Sequence, residues 1–368
     1  MALKTAQEYI DSLRELKSDV WIMGERIENF VDHPIVRPSI NAIALTYKAA
    51  HEPEWEDLAT TTSTLTGERI NRFTSLFMGC DDMVKKVKLQ RMLGQRTGCC
   101  FQRCVGMDAI NGVFSTTYEI DEKHGTKYHE RFKEWLKYIQ SNDLCVQGAM
   151  TDVKGDRNVR PHEQEDPDVF VHVVERRDDG IVVRGAKAHQ TGSVNSHEIL
   201  IMPTLTMREG DEDYALCCAF PSDSPGVHFI YGRQSCDTRK LEEGDIDVGN
   251  YGFGGQEALT VLDDVFVPWD RVFMCGEVEF SGMVVERFAS YHRQSYGGCK
   301  PGIGDVLVGA TCAMCDYHGV SKASHVRDKI AVPAGLPSKA AAPRTDEFPR
   351  IPAATVVTFS PGQHLKIA

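Results

Sequence analysis

The chain is read as α+β: a mostly helical first part, a β-rich centre and a return to helix. Three observations predict this. Apolar residues recur with a helical rhythm through the first 150 residues, period-two alternation sets in near Asp168, and helical spacing resumes at Gly282. The boundaries expected are an N-terminal helical domain at 1–150, a β domain at 151–277, the beginning of a C-terminal helical domain at 278–330, and a Pro-rich tail at 331–368.

Taken in order, Tyr9, Ile10, Leu13 and Leu16 mark the first helix, which ends before the turn signals His33-Pro34 and Arg37-Pro38. Further helices are expected at 40–50, 83–93 and 131–139. The stretch 99–114 reads as a buried helix because small and apolar residues alternate around it. Residues 169–174 and 181–185 flank Asp178-Asp179-Gly180 and read as a hairpin. Strands follow at 199–202, 215–220, 227–231 and 259–267, so the centre is expected to be an antiparallel barrel or sandwich. Helices return at 282–291 and 304–317, with an interruption expected at Gly297-Gly298 between them. Pro333, Pro337, Pro343, Pro349, Pro352 and Pro361 then crowd the end of the chain, and the tail reads as extended or disordered.

At 368 residues with 42% hydrophobic and 26% charged, the composition is that of a soluble globular protein. Its 41 Lys and Arg against 53 Asp and Glu give a net charge of -12, which argues against nucleic acid or an anionic membrane as a partner. No stretch approaches a membrane span or a signal core, so a cytoplasmic location is expected. The 12 cysteines include the adjacent pairs Cys99-Cys100 and Cys217-Cys218, a pattern unlike a secretory disulfide framework and better suited to reduced thiols.

Chemistry concentrates in two places, Cys100-Phe101-Gln102-Arg103-Cys104 and His292-Arg293-Gln294-Ser295-Tyr296-Gly297-Gly298-Cys299-Lys300. On a helix, Cys100 and Cys104 would project from one face. Together with His292 and Cys299 they supply three thiolates and an imidazole, a donor set suited to an iron-sulfur cluster or to zinc. The bland reading is that buried Cys and His are core residues. Tyr296 and Lys300 follow His292 at i+4 and i+8, so their polar ends can share its cavity if the helix continues. The chain carries no glycine-rich dinucleotide fingerprint.

These strings, with Asp32-His33-Pro34, Gly148-Ala149-Met150-Thr151-Asp152, Lys187-Ala188-His189-Gln190-Thr191-Gly192 and Phe253-Gly254-Gly255-Gln256-Glu257-Ala258, closely resemble the 4-hydroxybutyryl-CoA dehydratase family. That family is similar to the flavin-dependent 4-hydroxyphenylacetate 3-hydroxylases and has an acyl-CoA dehydrogenase-like fold. The resemblance runs to about Lys329. It implies a 4Fe-4S cluster held by Cys100, Cys104, His292 and Cys299, a non-covalent FAD, an acyl-CoA substrate and a homotetramer. The implied reaction is radical dehydration of 4-hydroxybutyryl-CoA to crotonyl-CoA, with vinylacetyl-CoA isomerisation at the same site.

Residue by residue, the resemblance implies His292 as ligand or as ligand and α-proton base, Glu257 as a carboxylate handling protons, and Tyr296 and Lys300 as partners of the substrate hydroxyl or thioester. Gln102 is expected to reach the site as a hydrogen-bond donor. FAD is assigned to Met150, Thr151, Asp152, Lys154, Arg157, His189, Gln190 and Thr191. The strand through Asp263 to Val272 is given a structural role. Family members continue well beyond the point matching Lys329, with more of a helical bundle, whereas the tail here does not resemble them. An assembled tetramer is accordingly doubtful, and loss of the bundle should leave apolar faces of 304–317 exposed. The alternatives are a flavin monooxygenase of the 4-hydroxyphenylacetate 3-hydroxylase type, which needs no cluster, and a non-catalytic metal-binding fragment holding zinc.

Overall fold

The computed structural model describes residues 3–234, 252–331, 357–358 and 366–367. The prolines of the tail lie outside the described residues. Helix α1 (Ala6–Arg14) starts at a capping box, in which the Thr5 hydroxyl accepts from the Glu8 amide at 3.2 Å and the Glu8 carboxylate accepts from the Thr5 amide at 2.7 Å. Strands β1 (Asp19–Ile22) and β2 (Glu25–Ile27) follow, then α2 (Arg37–Lys48), which begins with Pro38 in its first turn, and the short α3 (Glu56–Ala59). A small hairpin of β3 (Thr60–Thr62) and β4 (Arg69–Asn71) leads to three long helices, α4 (Cys80–Thr97), α5 (Cys104–His124) and α6 (Tyr128–Ser141). Gly98 and Gly125 end α4 and α5 in the left-handed conformation, at φ 61° and 66°. The core face of α6 is Phe132, Trp135, Leu136 and Ile139, spaced as a helical stripe requires.

The β-rich part holds β5 (Val146–Ala149), β6 (His172–Arg176), β7 (Gly180–Thr191), β8 (Glu198–Ile201), β9 (Leu216–Pro221), β10 (Val227–Gln234), β11 (Gln256–Pro268) and β12 (Val272–Cys275). They form two sheets, ordered β2-β1-β10-β11-β7-β6 and β12-β9-β8-β5. The hairpin expected around Gly180 is the β6–β7 pair. The expected all-antiparallel barrel or sandwich needs correction. No closed barrel is formed among the described residues, and each sheet contains one parallel pair, β1 with β10 and β5 with β8. Both pairs recruit a strand from the first 150 residues. Short runs such as Val20 and Ile22 escape detection because four residues carry too little period-two signal.

The interruption expected at Gly297-Gly298 is also absent. Residues 282–291 and 304–317 belong to one helix, α7 (Val278–Tyr317), followed by α8 (Ser324–Ala331). Two glycines of α7, Gly298 and Gly302, serve close packing against α4. A Cβ on Gly298 would stand 2.6 Å from the Val87 carbonyl oxygen, and one on Gly302 would stand 2.2 Å from that of Arg91. Pro301 lies inside the helix, and the residue four positions before it is Gly297, where a Cβ would meet nothing within 4 Å. Leu307, Met314 and Tyr317, on the second half of α7, are exposed. No helix among the described residues is long and apolar enough to cross a membrane.

Candidate active site

Three segments converge on a cavity of about 250 Å³. From the α4–α5 connection and the first turn of α5 come Cys100, Cys104 and Val105; from α7 come His292, Tyr296, Cys299, Lys300 and Ile303; from the β11 edge come Gly255, Gln256 and Glu257, with Thr191 of β7 paired beside Glu257. The residues on α7 are spaced at 4, 3, 1 and 3, which keeps them on one face of a continuous helix. The two sequence clusters, almost 200 residues apart, are thus brought to one place.

The geometry of the first cluster corrects the helical expectation. Cys100 lies in the connection after Gly98, and only Cys104 is helical, at the first position of α5. Gln102 takes φ 66°, which no helix residue adopts, so the turn rather than i,i+4 stacking directs both thiols to the cavity. The turn is held by Arg103, whose guanidinium pairs with Asp143 at 3.0 Å and lies 4.0 Å over the Tyr47 ring. Gln102 is likewise structural. Its amide donates to the carbonyls of Ser39 at 3.0 Å and Gly254 at 3.1 Å and accepts from Asn195 at 3.1 Å, so it secures the 252–256 segment instead of pointing a donor at the cavity.

Burial pushes the Cys100 thiol up to about 11 and raises those of Cys104 and Cys299. Burial also raises the Tyr296 phenol, aided by the neighbouring cysteines. The His292 ring stacks on Phe288 at 5.3 Å, and Tyr296 is tilted over it at 4.8 Å. Lys300 Nζ lies 5.4 Å from the Tyr296 ring centre. The Glu257 carboxylate is 3.8 Å from His189 Nδ1. The side-chain oxygen of Gln256, a buried residue of the cavity wall, accepts no hydrogen bond among the described residues.

Behind His292 stands a group that sequence reasoning missed. His292 Nδ1 is 2.9 Å from Asp108 Oδ2, Ser295 donates to the same oxygen at 2.7 Å, and Lys86 donates to Asp108 Oδ1 at 2.7 Å. Lys86 and Asp108 are both fully buried. The only sequence signal was a Lys and an Asp on otherwise buried helical faces, unpaired by any local spacing.

The residues assigned to FAD divide. Thr191 faces the cavity, and His189, at φ 53°, is exposed beside Glu257. Lys154 and Arg157 lie on the loop after Met150, where Arg157 is exposed. Thr151 offers its carbonyl to the Ala188 amide at 2.8 Å. Asp152 is committed to Lys187 at 2.8 Å and to the Val171 amide at 3.0 Å, and Gln190 donates to the carbonyls of Thr151 and Ala188. These last two residues shape the loop from within.

The described cysteines are free thiols, and among the described residues no three His, Cys, Asp or Glu side chains converge as they must to chelate one ion. A cubane cluster takes one donor at each iron, so its ligands ring a void instead of meeting at a point. Three thiols and an imidazole around a cavity fit that demand better than they fit a single zinc.

A fold of this order, with a cavity between its sheet edge and its helices, has close counterparts. Family models described as the 4-hydroxyphenylacetate 3-hydroxylase N terminal and C terminal match residues 5–274 and 281–333, and the chain belongs to this family of enzymes. Within the family its likeness is to the dehydratases. It is 64% identical over 329 residues to the 4-hydroxybutyryl-CoA dehydratase/vinylacetyl-CoA-Delta-isomerase of Clostridium aminobutyricum, covering 89% of this chain and 67% of that one. The structure of an oxygen-tolerant archaeal 4-hydroxybutyryl-CoA dehydratase from N. maritimus superposes with a TM-score of 0.88 at 54% identity, over 92% of this chain and 67% of that chain. The oxygenase component of a 4-hydroxyphenylacetate 3-monooxygenase, in complex with FAD, is further away, at a TM-score of 0.75 and 25% identity over 90% of this chain and 68% of that one.

Proposed function

We propose that the chain carries the site for dehydration of 4-hydroxybutyryl-CoA to crotonyl-CoA, with vinylacetyl-CoA isomerisation, using FAD and a 4Fe-4S cluster. The observation that carries the reading is the meeting of Cys100, Cys104, His292 and Cys299 around one cavity. The 64% identity to a relative bearing both activities in its name supports it. The monooxygenase reading has weaker support, since the FAD-bound oxygenase is 25% identical and that chemistry has no use for three thiols and an imidazole. An acyl-CoA dehydrogenase-like arrangement, with α7 and α8 as the start of a helical bundle, belongs to the same proposal, as does assembly into a homotetramer.

The four ligands would hold the cluster, and Thr191, His189, Met150, Thr151, Lys154 and Arg157 would hold the flavin, with Asp152 and Gln190 bracing the loop. When bound, these groups supply Lewis acidity toward a hydroxyl and one-electron chemistry. The protein supplies placement and proton handling. A β-hydrogen of a thioester is not acidic enough for an ordinary base, so proton removal is ordered: first at the α-carbon, next to the carbonyl, then at the β-carbon once one-electron oxidation of the enolate would have acidified it. Hydroxide leaves the γ-carbon and one proton must be returned there, so that the net loss is water. Two groups border the cavity for this purpose: Glu257, and His292, whose Nε2 could take a proton only when displaced from its ligand position. Tyr296 is a phenol at neutral pH, as tyrosine ordinarily is, and burial with the neighbouring cysteines shifts it further up, so it can donate a hydrogen bond to the substrate hydroxyl. Lys300, on the next turn of α7, offers a cation to the thioester oxygen or the hydroxyl.

The reading is tested by an anaerobic assay of the reconstituted chain with 4-hydroxybutyryl-CoA, following crotonyl-CoA by chromatography. Turnover that is lost in Cys299→Ala supports it; hydroxylation of a phenol with reduced flavin, and no dehydration, contradicts it.

A further inference from the structure

His292 has two ring nitrogens, and which of them carries the proton decides which can act as a donor atom toward the cavity. The neutral ring is a hydrogen-bond donor at one nitrogen and an acceptor or ligand at the other. In this chain the Nδ1 side is fixed from behind. Asp108, one turn along α5 from Cys104, receives three donors on its two oxygens: Lys86 from α4 on one, and Ser295 and His292 Nδ1 from α7 on the other. Lys86 Nζ also donates to the Tyr291 carbonyl at 2.9 Å, one residue before His292. A carboxylate buried at 0% exposure accepts hydrogen bonds and gives none, so the hydrogen in its contact with the imidazole must sit on Nδ1.

We infer that the buried Lys86–Asp108 pair is a positioning unit that holds His292 in its Nδ1-protonated tautomer and turns the Nε2 lone pair into the cavity. The pair costs desolvation of two charges at a place where apolar residues would pack, which is hard to explain as a stability device. It ties all three helices of the site together at the imidazole. Lys86 anchors Asp108 from α4, Asp108 aligns the ring from α5, and the ring and its Ser295 neighbour belong to α7. Carboxylate–histidine contacts behind a ligand fix ring orientation and raise its donor strength, and their loss typically costs about 10–100-fold in metal affinity. The consequence for iron rests on the proposed function; the tautomer does not.

The test reads the two separately. Long-range nitrogen–proton correlation spectra of the cluster-free chain, labelled with 15N-histidine and assigned with His292→Gln, report the tautomer directly. The wild type is expected to show a protonated Nδ1 and a bare Nε2. Asp108→Asn leaves the Lys86 ammonium buried without its counter-charge and can fail to fold, so the paired variant Lys86→Met with Asp108→Leu is the decisive one, being apolar at both positions. That variant is expected to release the tautomer toward protonated Nε2 and, after anaerobic reconstitution, to bind iron about 10–100-fold more weakly. A wild-type ring protonated on Nε2, or a folded paired variant with an unchanged tautomer, overturns the inference. A wild type with protonated Nδ1 that takes up no iron supports the tautomer and contradicts the proposed function instead.

Discussion

The carbonyl oxygen of Cys299 lies 2.7 Å from the point where a Cβ on Gly94 would stand. Glycine at 94 therefore lets α7 press onto α4 at the residue that presents a thiol to the cavity. With Gly298 and Gly302 on the facing side, the depth of the α4–α7 contact is set by three missing side chains, and so is the position of the ligand-bearing face.

Restoring one side chain should separate the helices. Gly302→Ala is expected to destabilise the chain by about 1–3 kcal/mol in urea unfolding, through overpacking against the Arg91 carbonyl. Gly304→Ala, on the same helix but with nothing within 4 Å of its new Cβ, is expected to stabilise by about 0.5–1 kcal/mol. Equal effects at both positions would contradict the close-packing account.

His197 gives the fold an acid sensitivity. Its Nδ1 accepts from the Cys145 amide at 3.0 Å, and burial, with Lys4 and Arg103 nearby, depresses it to about 3. In the unfolded chain it titrates near its ordinary value of 6.5. Between these values only the unfolded state binds the proton, so the contribution is fully present above about 6.5 and is lost as pH falls toward 3. From pH 7 to pH 5 this one group should cost about 2 kcal/mol of stability. His197→Asn, which keeps an acceptor for the Cys145 amide, should remove that part of the slope; an unchanged slope would assign it elsewhere.

The Cys100 thiol, held up at about 11 by burial, should react slowly in the cluster-free chain. Iodoacetamide labelling at Cys100, read by peptide mass spectrometry, is expected to rise about tenfold per pH unit from 7 to 9 without levelling off. A plateau near pH 8.5, the value of a free cysteine, would show the thiol to be open to water.

Glu257→Gln keeps the shape of the cavity wall and removes a base. Turnover should fall by about 10²–10⁴ while KM changes only a few-fold. A rise in KM at unchanged kcat would recast Glu257 as a binding residue.

Much of the fold was legible because its signals are local. Tyr9, Ile10 and Leu13 repeat on one face and are buried, and β11 alternates along most of its length. Gly297-Gly298 reads as punctuation because a sequence does not distinguish a glycine needed for a turn from one needed for close approach, as Gly298 is. Cys100 and Cys104 do line one cavity, but not by helical stacking, since the left-handed Gly98 and Gln102 put a turn where composition suggests a helix. The Lys86–Asp108–His292 contact was beyond reach. Its members are 22 and 184 residues apart, and a buried charge pair leaves no periodicity.

The most direct test of the four-ligand site is iron, sulfide and flavin analysis of anaerobically prepared protein, with Cys100→Ala, Cys104→Ala, His292→Ala and Cys299→Ala measured alongside. The account predicts about four iron and four sulfide per wild-type chain, with FAD, and a loss of iron in each cysteine variant. Flavin without iron in the wild type, or iron content indifferent to all four substitutions, would contradict it.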